Sequence, residues 1–220
     1  MKDEFGEYDF EALEAIDLPL LRDHVARLLA GETVATARYD FVRGKSIRDA
    51  TSIRLGPSDV LLLEGIHGLN PALIGTSVPA EALFRVFVHP ATTLPLDRLS
   101  GISTADVRLV RRIVRDRHQR AYRAADTMAR WPAVRRGETA HILPYQSNAD
   151  VVFDTSLVYE LGVLKVFAER YLLEVPAGHP TFSTAYRLRR MLDRFVTIYP
   201  DQVPPTSILR EFIGGSGFEY

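Results

Sequence analysis

Cysteine is absent from the 220 residues, which excludes disulfides and thiolate metal sites and fits a reducing cytoplasm. No apolar run approaches the ~20 residues that cross a bilayer, and the longest, such as Val60 to Leu63, fall far short. No basic start followed by an apolar stretch appears at Met1, so a secretory signal is not expected. A formal net charge of −1 gives no bulk electrostatic reason to expect a nucleic-acid or anionic-membrane partner. Internal repeats and low-complexity tracts are missing too. These absences set the expectation of a soluble cytoplasmic protein with no nucleic-acid and no membrane partner, in which any anion site is local.

Lysine is scarce: three of the 27 basic residues are Lys and the other 24 are Arg. Ten of those Arg lie between Arg108 and Arg136, opposed there only by Asp116 and Asp126. The first 17 residues carry the reverse bias, seven acids against Lys2. With 46% hydrophobic residues the chain is long enough to bury one sizeable core.

Along the chain, Asp17 is placed to cap a helix running to Leu29, which Gly31 ends. Val34 to Phe41 and Thr51 to Leu55 read as strands around a turn containing Gly44. Val60 to Leu63 is continuously apolar and reads as a strand buried on both faces of a parallel sheet; Leu83 to Val88 and Ala149 to Phe153 repeat that pattern. Helical patterns separate the last two, so the expectation is an α/β domain with a largely parallel sheet. Phe182 to Phe195 is helical in pattern, and Pro204-Pro205 breaks the chain before Ser207 to Ile213. The expected organisation is a domain over residues 1–175 with a helical C-terminal extension, 176–220, packed on it.

Gly44-Lys45-Ser46 imitates the end of a Walker A loop, G-x-x-x-x-G-K-[ST], but the first glycine would fall at Tyr39, and the segment after Ser46 reads as turn and strand. A hairpin tip is the better reading. Gly214-Gly215-Ser216-Gly217 has no helix after it and reads as a flexible end. Glu64, at the C-terminal end of an expected strand, has two readings: a Mg²⁺ ligand, or a carboxylate capping a neighbour.

The segment around Arg112 carries the clearest signal for an anion site. At 100° per residue Arg108, Arg111, Arg112 and Arg115 share one face, opposite Leu109, Val110, Ile113 and Val114. Guanidinium forks match phosphate oxygens, and Arg117, Arg120 and Arg123 extend the supply. The competing readings are a solvated face paired with acids such as Asp116, and a nucleic-acid patch, which the sparse aromatics disfavour. Tyr39 and Phe41 lie two apart on one strand face, fit either to stack on a base or to pack in a core. His24, His67, His89, His118, His141 and His179 show no metal-ligand spacing and read as structural or exposed.

Taken in order, Tyr8-Asp9-Phe10, Ala15-Ile16-Asp17, Tyr39-Asp40-Phe41, Leu63-Glu64-Gly65-Ile66-His67-Gly68-Leu69-Asn70, Arg111-Arg112-Ile113-Val114-Arg115-Asp116 and Asn148-Ala149-Asp150-Val151 resemble the uridine kinase/phosphoribulokinase family from about residue 6 to 170. Trp131-Pro132 to Gly137-Glu138, Pro144-Tyr145-Gln146 and Ser207 to Gly215 look like a bacterial nucleoside- or uridine-kinase-like subgroup. The resemblance implies a P-loop kinase-like three-layer domain and ATP-dependent transfer of phosphate to a nucleoside, uridine first, with ATP and Mg²⁺. It implies that Glu64 stands at the magnesium site and that Tyr39 and Phe41 line the nucleoside pocket. Arg112 and Arg115 match lid-helix arginines on substrate and triphosphate, and Arg120 a further lid arginine. Gly44 stands where uridine-cytidine kinases carry a base-contacting His, and Tyr122 where they carry another lid Arg. In the family a first strand, the Walker A loop and a catalytic Asp precede the segment matching Lys2 to Phe10, so the expectation is a shortened, inactive kinase missing that strand and loop. A companion N-terminal fragment or a homo-oligomer are the partners considered. The rival readings are a noncatalytic nucleotide- or partner-binding relative and a kinase for another sugar-type acceptor.

Overall fold

Asp17 opens the first helix, α1 (Leu18–Leu29), its carboxylate accepting the Leu20 amide at 3.2 Å. Val25 and Leu28 form its buried stripe, and Gly31 leaves it at φ +77°, a conformation only glycine adopts without strain. The computed structural model describes residues 12–40, 45–93, 95 and 101–218. They fall into two units, one running to Phe87 and including Gly137–Val152, the other Val88–Arg136 with the chain from Phe153 onward.

In the first unit, strands β1 (Val34–Asp40) and β2 (Lys45–Ile53) pair antiparallel, Val34 opposite Ile53 and Asp40 opposite Lys45, with an irregularity between Thr36 and Arg38. The turn containing Gly44 lies outside the described residues. A short helix, α2 (Pro71–Ile74), is capped by Asn70, whose side chain accepts from the Ala72 amide at 2.9 Å. Arg22 of α1 ties to it, its guanidinium donating to the Ala72 and Leu73 carbonyls. Asn148 Nδ2 donates to the Leu69 carbonyl at 3.1 Å, fixing the chain that leads into α2.

The run Val60 to Leu63 departs from expectation. It forms no strand among the described residues, and Val60 and Leu62 are 89% and 84% exposed. An apolar run encodes the capacity to be buried, but burial also needs strands on both sides to take its amides and carbonyls, and no described strand pairs with it.

Strands β3 (Val86–His89) and β4 (Val151–Asp154) fall where sequence places two strands. The Arg85 carbonyl accepts from the Asp150 and Val151 amides and the His89 carbonyl from the Thr155 amide, so both strands advance together and the pairing is parallel. Their expected burial is not realised: Phe84, Val88, Val152 and Phe153 are exposed. The described residues thus hold an antiparallel pair and a separate parallel pair in place of one largely parallel sheet. At the end of β4, the Asp154 carboxylate accepts from the Ala91 and Ser156 amides and from the Thr92 hydroxyl. These bonds, that from Thr92 foremost, hold its carboxyl well below the usual carboxylate range.

The core of the second unit is helical. The long α3 (Thr104–Arg120) starts at Ser103, whose hydroxyl accepts the Asp106 amide, and is followed by α4 (Ala124–Gly137). Against α3 pack α5 (Glu160–Leu173) and the short α7 (Arg210–Ile213), while α6 (Phe182–Leu192) packs on α5. Leu109, Ile113, Leu164, Leu188 and Leu209 are buried in this one cluster, and truncating any of them to Ala costs ~2–5 kcal/mol. Gly162 lets the chain beyond α6 lie directly on α5: a Cβ there would stand 2.7 Å from the Val196 carbonyl oxygen, and the Ile198 amide bonds to the Gly162 carbonyl.

Candidate functional site

The helical periodicity of α3 is realised on its apolar side, where Leu109, Val110, Ile113 and Val114 are fully buried. Its arginines divide. Arg111, placed by sequence on the polar face, is buried. Its Nε donates to Glu160 at 2.6 Å, its other nitrogens to the Thr155 hydroxyl and carbonyl, and its guanidinium lies over the Phe212 ring. Position 111 is about 60° from Val114 around the helix, on the flank of the apolar stripe. Once α5 supplies Glu160, that flank closes over a pair whose hydrogen bonds offset much of the cost of desolvation.

Arg112, Arg115 and Arg120 gather around one buried carboxylate. Asp116 receives Arg112 Nε at 3.5 Å, Arg120 Nη1 at 3.3 Å and, more loosely, Arg115 Nε at 4.0 Å, with the Thr127 hydroxyl donating at 3.2 Å. Both Arg112 and Arg120 are four residues from Asp116, the spacing that joins side chains on one helix face. Asp116 thus meets three guanidiniums with one carboxylate. A second acid comes from α7, where Glu211 lies 3.4 Å from Arg115 Nη1.

A cavity of about 390 Å³ opens on this group, lined by Arg108, Arg112, Arg115, Trp131, Glu211 and Phe212 among others. The Arg108 guanidinium sits 5.8 Å from the Trp131 ring. Guanidiniums beside aromatic faces suit an anion that also carries a planar or apolar part. Beside the cavity His118 holds two elements at once, its Nδ1 bonded to the Phe212 carbonyl and its Nε2 to the Tyr171 hydroxyl, while burial pushes the Tyr171 phenol up. Asp116 was legible from its spacing to Arg112 and Arg120; Glu160, Trp131 and Glu211 have no such signal, since they reach α3 only through the tertiary fold.

Glu64, Tyr39 and Phe41 belong to the first unit, Arg112, Arg115 and Arg120 to the second. Glu64 is exposed and lines a separate, largely apolar cavity of about 270 Å³ with Ile16, Leu21, His67 and Leu73. His67 is buried there, its ring edge-on to His141. Tyr39 pairs through its backbone with Ser46 in the hairpin, and Phe41 lies outside the described residues. Among the described residues no group of three His, Cys, Asp or Glu could enclose a metal ion. Mg²⁺ asks for less, usually one or two carboxylates beside phosphate oxygens and water, and an exposed Glu64 fits that partial role.

The sequence signature of the Phosphoribulokinase / Uridine kinase family matches residues 2–160. A "Uridine kinase" of Halobacterium salinarum is 27% identical over 145 residues, covering 66% of this chain and 56% of that protein. A "Uridine kinase" of Deinococcus deserti is 30% identical over 146 residues, 66% of this chain and 60% of the relative. A third, from Mycoplasma pneumoniae, is 29% identical over 155 residues, 70% and 63%. The match therefore spans little more than half the length of these relatives. The family signature spans Glu64, Arg112, Arg115 and Arg120, and with most of the chain inside it, the protein belongs to the Phosphoribulokinase / Uridine kinase family.

Proposed function

We propose that this chain carries the lid arginines and acceptor-side residues of an ATP-dependent nucleoside phosphotransferase, with a uridine-like acceptor, and that it needs a phosphate-binding loop not contained in its 220 residues. The observation that carries this reading is the arginine cavity on α3. Arg112 and Arg115, which match family lid arginines, line a space whose guanidiniums suit phosphate oxygens and whose Trp131 wall suits a planar group. In this reading Arg112 and Arg115 hold charge developing on the transferred phosphoryl, Arg120 supports them through Asp116, Tyr39 and Phe41 line the nucleoside, and Glu64 binds Mg²⁺. The metal's contribution, when bound, is to neutralise phosphate charge.

The proposal of a missing first strand and Walker A loop rests on two supports. No complete G-x-x-x-x-G-K-[ST] occurs in the sequence, and the apolar Val60 and Leu62 lie in solvent where a neighbouring strand would cover them. The absent Walker A pattern also favours the rival, a noncatalytic relative that keeps only polyanion binding.

The test supplies a segment with the first strand, Walker A loop and following Asp, fused or as a separate chain, and measures uridine phosphorylation with a Glu64→Ala control. The expected result is no turnover by the 220-residue chain alone and restored turnover, sensitive to Glu64→Ala, in the complemented protein. A folded fusion that binds ATP but phosphorylates neither uridine, cytidine nor related acceptors overturns the kinase reading in favour of the rival.

A further inference from the structure

The arginine cavity holds an anion of the chain's own. Glu211 comes from α7, beyond the residues matched by the family signature, and places its carboxylate against Arg115 on the cavity lining. Resting on the reading that this cavity takes a polyanion, we propose that Glu211 is a built-in counter-anion, which competes with phosphate for Arg115 and so sets the affinity of the site.

Three features separate a gate from an ordinary surface pair. The backbone beneath Glu211 is pinned: its carbonyl accepts from Gln119 Nε2 at 2.9 Å, and the next carbonyl, of Phe212, bonds to His118. Phe212 itself is buried in the core, with the Arg111 guanidinium over its ring. The Glu211 side chain, by contrast, is 49% exposed and has rotatable bonds of its own. It can therefore rotate into solvent without disturbing α7. Arg115 has a weaker hold on its other partner, since Asp116 is 4.0 Å away and shared with Arg112 and Arg120. Glu211 is its nearer counter-charge. A phosphate group brings more charge and more acceptor oxygens to the guanidinium than one carboxylate does, so a polyanion displaces Glu211 and a simple monocarboxylate does not.

Inorganic tripolyphosphate is the probe, because it carries the charge without a base. Trp131, the sole tryptophan of the chain, lines the same cavity and reports binding through its emission. Titrations use the full 220-residue chain and its Glu211→Gln, Glu211→Asp, Arg112→Ala, Arg115→Ala and Glu211→Gln/Arg115→Ala variants, with melting temperatures alongside. Removing an exposed ion pair from competition tightens binding about two- to fivefold in Glu211→Gln. Glu211→Asp keeps the wild-type affinity more closely, and Glu211→Gln has no effect once Arg115 is gone. Unchanged or weaker binding by Glu211→Gln, with Arg112→Ala still weakening it, overturns the gate and leaves the anion site standing. A lowered melting temperature in Glu211→Gln without tighter binding marks Glu211 as a structural strap and also overturns it. Affinity unchanged in both Arg112→Ala and Arg115→Ala, or no binding by any variant, overturns the site and the gate together.

Discussion

Glu160 meets Arg111 where α5 begins, and its other carboxylate oxygen accepts the Leu157 amide. Both side chains are nearly without solvent, so removing one strands a buried charge. Glu160→Ala is expected to destabilise the protein by ~3–5 kcal/mol, read as a shift in the urea midpoint at unchanged slope. The double variant Glu160→Leu/Arg111→Met should recover much of that loss. Asp154 gives the complementary case at the surface. Its folded pKa is lowered, so its contribution is present above the unfolded value of ~3.9 and is lost as pH falls through the lower folded value. Asp154→Asn should reduce stability at neutral pH and flatten the acid limb of a stability–pH curve below about pH 4; an unchanged limb would mean the Thr92, Ser156 and Ala91 bonds contribute nothing net. Sequence shows the acids and bases themselves but not these pairings, because Arg111 and Glu160 are 49 positions apart.

Among elements, α1 and α3 were readable from residue order alone, since caps and a 3.6-residue period are local properties. The exposure of Val60 to Leu63 was not, because the burial that its apolar run suggests depends on neighbouring strands that the described residues do not supply. For α3 the prediction concerns its ligand. Arg112→Ala and Arg115→Ala should each weaken tripolyphosphate binding by ~1–3 kcal/mol; the melting temperature should change little in Arg115→Ala, whose contact with Asp116 is the loosest, and fall modestly in Arg112→Ala, which leaves that buried carboxylate to Arg120 and Thr127. Calorimetric titration decides it. For α5 the prediction concerns packing: Gly162→Ala forces a methyl against the Val196 carbonyl and should cost ~1–3 kcal/mol. A denaturation midpoint equal to wild type would show that the segment from Val196 to Ile198 yields without cost.

At the scale of the molecule, residue order and spacing made the family legible, while the arginine cavity emerged only when α7, from the far end of the chain, was placed against α3. The helical core of the second unit depends on residues well past 160, so trimming the chain to its family signature should unfold that core, seen as loss of the cooperative thermal transition. Val60 and Leu62 lie outside any core. Replacing both with Thr should lower binding of an apolar fluorescent dye and leave the melting temperature within a few degrees. That exposed pair also bears on the chain's fate in a cell. Chaperones and proteases engage apolar segments left in solvent, so the chain's lifetime becomes a measure of whether those residues are covered. A pulse-chase comparison of the Thr variant with the original sequence would then read cover as persistence: the original decays faster when made alone, and, if the proposed first strand covers these residues, the difference closes when that strand is made beside it.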